Sequence, residues 1–561
     1  MLLGSYNGFD QSTARPTGAF RYNQLEFYAQ DTWKLSRSFT LDYGMRFAWI
    51  PPQYDANNQI ALFNPAAYDP AKAVQLDTGG NIIPGSGDPL NGMQYTKDGT
   101  LPDGGWNSSG IMPEPRIGFA WDVLESHKTI LRGGFGMMHD RTQGNLIFNT
   151  VFNNPALVQT ANLGSGNVAD LGSQTPGFGT GTLGNIVGAV RDGKVPTTYN
   201  FSIGLQQELG SGMTLDVAYV GAFGRHLVTS RDINAVPYGA SFLAENQDPN
   251  CDLSGSGGPK FGGTVPTVEP GLNPAYTAAG YSFSGLCAYG HNNYTDALLV
   301  PYKGYGQIAW LDWGGTSNYN SLQISLQRRF SHGLTFGAVY TWSKVLGTAN
   351  SDQDTQDPFN PLLDYRALSW DRTHVFAANY VYDIPGLTKH FNGPKWLGYI
   401  TDNYQLSGVV NVQSGTPIDL GNNFGFENGT FHGGNMWGAI QYYYNLGADN
   451  LPVLPGIGPP IRGTRDYLRN GGIQNWDMSL FKNIPFHERY SIQLRLEAFN
   501  VFNHPNFDNR NLGTTVTGPF EYSPTDNFGI SSASNFGTYS NTYGSGPGGF
   551  RVVQLGAKFY F

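Results

Sequence analysis

The sequence predicts an all-β protein: a transmembrane antiparallel β-barrel, here a partial one, with long extracellular loops. Three observations lead there. Apolar and polar residues alternate with period two over many segments, which marks strands with one apolar and one polar face. Most of these segments exceed the five or six residues usual in soluble strands and match the roughly 9–11 that cross a bilayer at a tilt. The connections alternate between short and long along the whole chain, as they do when short turns lie on the periplasmic side and long loops outside.

The alternation is explicit at residue level. In SFTLDYGMRFAWI, Phe39, Leu41, Tyr43, Met45, Phe47 and Trp49 share one face, and Thr40, Asp42, Gly44, Arg46 and Ala48 the other. In NFSIGLQQEL, Phe201, Ile203 and Leu205 oppose Ser202, Gly204 and Gln206. In SLQISLQRRF, Leu322, Ile324 and Leu326 oppose Gln323, Ser325 and Gln327. In SIQLRLEAFN, Ile492, Leu494, Leu496 and Ala498 oppose Gln493, Arg495 and Glu497. The chain ends RVVQLGAKFYF in the same pattern, with Val553, Leu555, Ala557, Phe559 and Phe561 on one face.

Thirteen strands are predicted, over 24–35, 38–50, 114–124, 128–139, 196–209, 213–228, 318–330, 334–347, 373–385, 402–414, 473–485, 489–503 and 550–561. Tight turns fall at LSRS (35–38), LESH (124–127), GSG (210–212), SHG (331–333) and PFHE (485–488), with an intermediate one at 386–401. Between them run long segments at 51–113, 140–194, 229–317, 348–372, 415–472 and 504–549. Trp33, Trp49, Trp121, Trp342, Tyr380, Tyr382, Tyr490 and Tyr560 stand near strand ends, like the aromatic girdles at the two membrane interfaces.

Composition agrees. Charged residues make up 13% of the 561, against about 25% in a soluble domain. Aromatics are 14% and Gly contributes 75 residues. No stretch approaches the roughly 18 apolar residues of a membrane helix. A net charge of -9 argues against a nucleic-acid partner. Two cysteines exclude a disulfide-dense scaffold and a four-Cys zinc site. No cofactor is expected.

Thirteen strands is an odd number, and the last follows an outer loop, so the first also runs from outside to inside. An odd open sheet leaves two unpaired edges in lipid, where no water satisfies their N–H and C=O groups. The expectation is that residues 1–22 are an extracellular loop remnant and 23–561 the C-terminal part of a larger barrel. MLLGSYNGFDQSTARP carries no basic n-region, apolar core or cleavage site.

Several segments resemble the barrel of the Oar-like TonB-dependent outer-membrane receptors: FYAQDTWKLSRSFTLDYGMRF (27–47), PRIGFAWD (115–122), LRGGFGM (131–137), YNSLQISLQRRFSHGLTFGAVYTWSK (319–344), DRTH (371–374), RLEAFNVFNHPNF (495–507) and the terminal RVVQLGAKFYF. NFG at 535–537 follows downstream. The resemblance covers nearly all the strands and little of the long loops. It implies a barrel of about 22 strands with a plugged lumen, of which these would be the last thirteen. It also implies a regulatory-like β-domain before the plug, and the TonB complex as a partner acting through a TonB box. Signal, plug and TonB box have no counterpart in this sequence. Phe561, with Phe559 and Leu555, resembles the C-terminal signal read by the barrel assembly machinery, and a final strand with free edge groups suits recruitment by strand pairing.

Candidate chemistry is sparse, and the chain is expected not to be an enzyme. Cys251 and Cys287 share the loop 229–317, and outside the cell a disulfide closing it is expected; two unpaired thiols are the alternative. Asp352, Asp354 and Asp357 place three carboxylates within SDQDTQDPFN, a calcium candidate without EF-hand spacing; ordering of the adjoining turn is the alternative. Asp371, Arg372 and His374 have no nucleophile beside them and read as a hydrogen-bonded cluster at the rim, and His504 as a turn residue. GTGTLG (179–184) matches G-x-G-x-x-G, but no strand precedes it and no helix follows. Asp42, Arg46, Arg116, Arg132, Arg495 and Glu497 would face plug or water, or pair across strands. Loop clusters at 292–297, 313–320 (WGGTSNYN) and 436–445 (MWGAIQYYYN) suit a sugar or peptide ligand, or loops folded on one another. The functional expectation is an outer-membrane receptor barrel for ligand binding and TonB-energised uptake. The alternative is a passive pore or adhesin-like barrel.

Overall fold

The computed structural model describes residues 4–76, 82–151, 154–155, 157–158, 160–163, 166–170, 184–237, 296–351, 354–386, 388, 394–417, 469–487, 490–507 and 549–561. Each predicted strand is present. They are β1 (Leu25–Lys34), β2 (Phe39–Trp49), β3 (Ile111–Asp122), β4 (Thr129–His139), β5 (Thr197–Gly210), β6 (Met213–Asp232) and β7 (Ile308–Ser331). Then follow β8 (Leu334–Gly347), β9 (His374–Ile384), β10 (Tyr404–Gln413), β11 (Ile473–His487), β12 (Tyr490–Phe499) and β13 (Val552–Tyr560). Each pairs antiparallel with the next in chain order.

The register keeps one face apolar across the sheet. Trp121, Leu131, Leu205, Val217, Ile324, Tyr340, Phe376 and Val412 form one continuous row over eight strands. Leu406, Leu480, Leu496 and Leu555 form another. On the opposite face Ser407, Ser479, Glu497 and Gln554 align. Because a one-residue slip would turn every apolar side chain to the polar face, this alternation fixes the register. The apolar face is uncovered: Phe27, Ile117, Ile203, Leu205, Trp342 and Leu496 are all open to the surroundings. In water such a face would be a severe liability; in lipid it is the solvated side.

β1 and β13 each have a single ladder partner among the described residues, and every residue of both is exposed. The short loop strands Ala61–Phe63, Met93–Tyr95 and Ile186–Ala189 form a side branch: Ile186–Ala189 runs parallel to the start of β7 and meets Ala61–Phe63, which pairs with Met93–Tyr95. The sheet is open, as its odd strand number implies.

The turns follow local chemistry. At 210–212, Gly210, Ser211 and Gly212 all have positive φ (80°, 50° and 71°), which glycine at two of the three positions makes inexpensive. At 35–38, the Ser36 hydroxyl accepts from the Phe39 amide at 2.9 Å. At 123–128, Asp122 accepts from the His127 amide at 2.9 Å.

Three expectations need correction. β6 and β7 reach into the segment read as loop, to 232 and from 308, because Thr229–Asp232 and Ala309–Asp312 continue the ladder past a register shift at Gly224–Leu227. The Gly and Asn of WGGTSNYN disguise strand there. β12 ends at Phe499, short of the predicted 503, where Asn500 and Asn503 take positive φ. Tyr560 lies on the polar face: it pairs with Ser491, and its hydroxyl donates to Gln493 Oε1 at 3.3 Å. The other aromatics named at strand ends keep to the apolar face. Among the described residues, no helix is long and apolar enough to cross a membrane.

Candidate functional site

The buried apolar core lies in the long loops at one end of the sheet. Ile60, Leu62, Leu101 and Trp106 of the first loop meet Leu146, Ile147, Val187 and Ala189 of the second, and Leu311 and Trp313 of β7. Ala61, Phe63, Val74, Ile82 and Met93 meet Ile186, Tyr305 and Ile308 in a second cluster. The loop strands 61–63 and 186–189 run between the two clusters and bury alternate residues in each. This explains why QIALF and NIVGAV are continuous apolar runs, the mark of a strand buried on both faces. Neither run alternates, so period two passes over both, although the continuous apolar run is itself a strand signal in the sequence.

This loop cap is stitched by buried amides. Asn154 donates from Nδ2 to the carbonyls of Ala61 (2.6 Å) and Val187 (2.9 Å) and accepts from the Val187 amide (2.9 Å). Asn234 donates to the carbonyls of Tyr302 (3.2 Å), Tyr305 (3.1 Å) and Gly306 (2.8 Å). Gly188 allows the close approach: a Cβ there would stand 2.7 Å from both the Phe63 carbonyl and the Trp310 ring. Trp106 packs on Trp313 with ring centroids 4.9 Å apart. WGGTSNYN therefore begins as loop-to-loop packing, the second of the two uses expected for it. Phe20–Arg21 pairs with Tyr54–Asp55, and Phe9–Ser12 with Thr160–Leu163, so the residues before β1 join the cap. Burial pushes the phenols of Tyr95 and Tyr305 well above their ordinary range. It lowers the Lys303 ammonium and the Arg191 guanidinium.

One cavity opens under the cap, lined by Pro52, Gln53, Trp106, Arg141, Thr142 and Lys194 among others. Its water-sized space is about 20 Å³, room for one water. Gln53 is 6% exposed, and its Oε1 has no partner among the described residues. Arg141 lies over the Tyr22 ring at 3.9 Å.

The rim around DRTH is a hydrogen-bonded clasp. Fully buried Asp371 accepts from Arg469 Nη2 at 2.5 Å and from the Val345 amide at 2.6 Å. Arg372 donates to the Ser414 carbonyl at 3.0 Å. The His374 amide donates to Ser414 Oγ at 2.6 Å, and His374 Nδ1 lies 2.8 Å from the Tyr340 hydroxyl. The cluster joins β8, β9, β10 and the approach to β11. A second clasp is built by FNVFNHPNF. Asn500 Nδ2 donates to the His504 carbonyl (2.9 Å), and the His504 amide returns a bond to Asn500 Oδ1 (3.0 Å). Buried Asn506 exchanges two bonds with the Gln474 backbone, at 2.9 and 3.0 Å. His504 is a turn residue.

On the polar wall, charges pair across strands. Arg46 of β2 bridges Glu26 of β1 and Glu114 of β3, and Glu114 also accepts from the His139 amide at 2.8 Å. Asp42 accepts from Thr32 Oγ1 at 2.6 Å, and Arg495 donates to Gln493 at 2.7 Å.

The segment 1–554 matches the family described as outer membrane beta barrel domain. The chain belongs to that family. It is thus an outer-membrane protein, and the apolar face of its sheet meets lipid. No curated protein matches it. Among solved structures, the barrel domain is similar to the outer membrane transporter YddB from Escherichia coli (8% identity, TM-score 0.39, 96% of this chain and 54% of that one). It is also similar to the FrpB iron transporter from Neisseria meningitidis (10%, 0.37, 96% and 56%). A third is the ferric yersiniabactin uptake receptor FyuA from Yersinia pestis (9%, 0.36, 97% and 46%). The barrel domain spans about half the length of these chains.

The remaining predicted site residues divide as follows. Cys251, Cys287 and Asp352 lie outside the described residues, as do 179–183 of GTGTLG, 292–295 and 436–445. Asp354 falls in the short strand Asp354–Gln356. Asp357 accepts from the amides of Phe359 (3.0 Å) and Asn360 (2.9 Å), ordering the adjoining turn. Leu555 and Phe559 lie on the lipid face of β13, and Phe559 stacks 5.9 Å from Phe561.

Proposed function

We propose that this chain forms the wall and outer loops of a receptor barrel that captures a ligand at its loop cap and admits it through a TonB-energised gate. The observation that carries this reading is the cap. Three long loops condense into a buried core at one end of a lipid-facing sheet, which makes a preorganised outer surface rather than an open mouth. The resemblance to Oar-like TonB-dependent receptors supplies the energised step. The open β1 and β13 edges favour residues 23–561 as the C-terminal part of a larger barrel, with the plug and TonB box carried on additional sequence. The pairing of residues 5–21 with the loops favours an extracellular placement for that segment. Phe561, Phe559 and Leu555 would be read by the barrel assembly machinery, and Cys251 with Cys287 would close the third loop. The protein acts as a binder and carrier, not an enzyme, and a sugar or peptide ligand suits its aromatic, amide-rich loops.

The test is uptake of a labelled ligand, selected from saccharide and peptide panels by binding to the purified protein. Uptake that collapses with a protonophore and in cells lacking TonB supports the reading. Flux indifferent to both would assign a passive pore.

A further inference from the structure

Six of the inter-strand connections are short, and one of these differs in kind. Between β9 and β10 stands a helix, Lys395–Thr401. Its side chains are sorted. Trp396, Tyr399 and Ile400, at spacing i, i+3 and i+4, form one face and are each at least 60% exposed. Leu397 and Gly398 are half-buried, and a Cβ on Gly398 would stand 3.1 Å from Asp402 Oδ2 and 3.2 Å from Thr388 Oγ1. The helix is therefore held to the turn by its inner side, and a Trp, a Tyr and an Ile project outward from the other.

Its location decides what covers that face. The flanking strand ends, Ile384 and Tyr404, are register partners in the lipid-facing set. Lys482 of β11 is paired with Tyr404 and shares that parity. Its ammonium lies 4.6 Å from the centre of the Tyr404 ring and donates to the carbonyl of Asp402, the residue that ends the helix. Lys482 is buried, and its hydrogen bond ties the end of the helix to the lipid side of the sheet. The exposed Trp396–Tyr399–Ile400 face thus continues the lipid-facing surface at the level where strands end. Trp and Tyr are the residues enriched at that level, and a helix with one apolar face lies in the interface plane.

We propose that Lys395–Thr401 is an interfacial anchor whose Trp396, Tyr399 and Ile400 lie among the phospholipids of the inner leaflet of the outer membrane. It fixes the height of the β9–β10 hairpin against the bilayer. The inference rests on the lipid-facing sheet and on the periplasmic placement of the short turns. The test places a photoreactive benzoylphenylalanine in the full chain at Tyr399, and in a second protein at Tyr380, a mid-strand residue of the lipid face. Each is irradiated in intact outer membranes, and adducts are identified by mass. The expected result is a phospholipid adduct at both positions. Phospholipid at 380 with only protein adducts, or none, at 399 overturns the anchor and leaves the barrel standing. A lipopolysaccharide adduct at 399 overturns it by placing the helix outside. No lipid at 380 overturns the lipid-facing sheet, and the anchor with it.

Discussion

Asp371 is buried within a rim of loops, and its carboxylate is spoken for by Arg469 and the Val345 amide. Replacing it with Asn removes a charge-assisted bond of the kind that contributes about 1.5–3 kcal/mol. Asp371→Asn is expected to lower the unfolding free energy in detergent micelles by about 2 kcal/mol, read by urea titration, with no change in ligand affinity. Asn506→Ala strands the Gln474 amide and carbonyl, so a loss of about 1–3 kcal/mol is expected from unsatisfied buried groups. Both residues were visible in the sequence only as parts of DRTH and FNVFNHPNF. What they hold was not, because Arg469 and Gln474 lie far from their partners along the chain. Asp357 was legible in its bland role, since an Asp two or three residues before amides in a Pro-Phe-Asn turn is a habitual turn acceptor.

At the scale of elements, period two located every long strand because each has one lipid face and one polar face. It failed at β6 and β7 above the bilayer. There the flanking medium changes from lipid to loop, and the alternation breaks at Gly224–Leu227. The cap was missed for a related reason: its short strands are apolar on both faces and so do not alternate. Trp313→Ala should open a cavity in the cap and cost about 3–5 kcal/mol locally. Faster hydrogen exchange is then expected at 60–63 and 186–189, with the strands β8–β12 unchanged. The cap also has a pH signature. Buried Tyr95 and Tyr305 hold their protons above the ordinary phenol value, so the cap keeps its full stability below pH about 10. Above that, unfolded phenols ionise while the buried ones do not, and stability falls as pH rises. Proteolytic nicking of the loops should therefore increase from pH about 10 upward, before the sheet unfolds.

For the whole molecule, the deciding property is which side of the sheet meets lipid. Arg on the lipid face at the bilayer midplane costs about 2–4 kcal/mol, so Ile203→Arg should impair assembly, whereas Ser202→Arg, one residue away on the polar face, should be tolerated. Heat-modifiable gel mobility of the membrane-extracted proteins separates the two. The most direct measurement is a nitroxide scan of positions 199–206 along β5 in reconstituted bilayers, comparing accessibility to oxygen and to a water-soluble nickel chelate. Strict alternation is expected, with oxygen favoured at Tyr199, Phe201, Ile203 and Leu205 and the chelate favoured at Asn200, Ser202, Gly204 and Gln206. Uniform access to the chelate at all eight positions would contradict it.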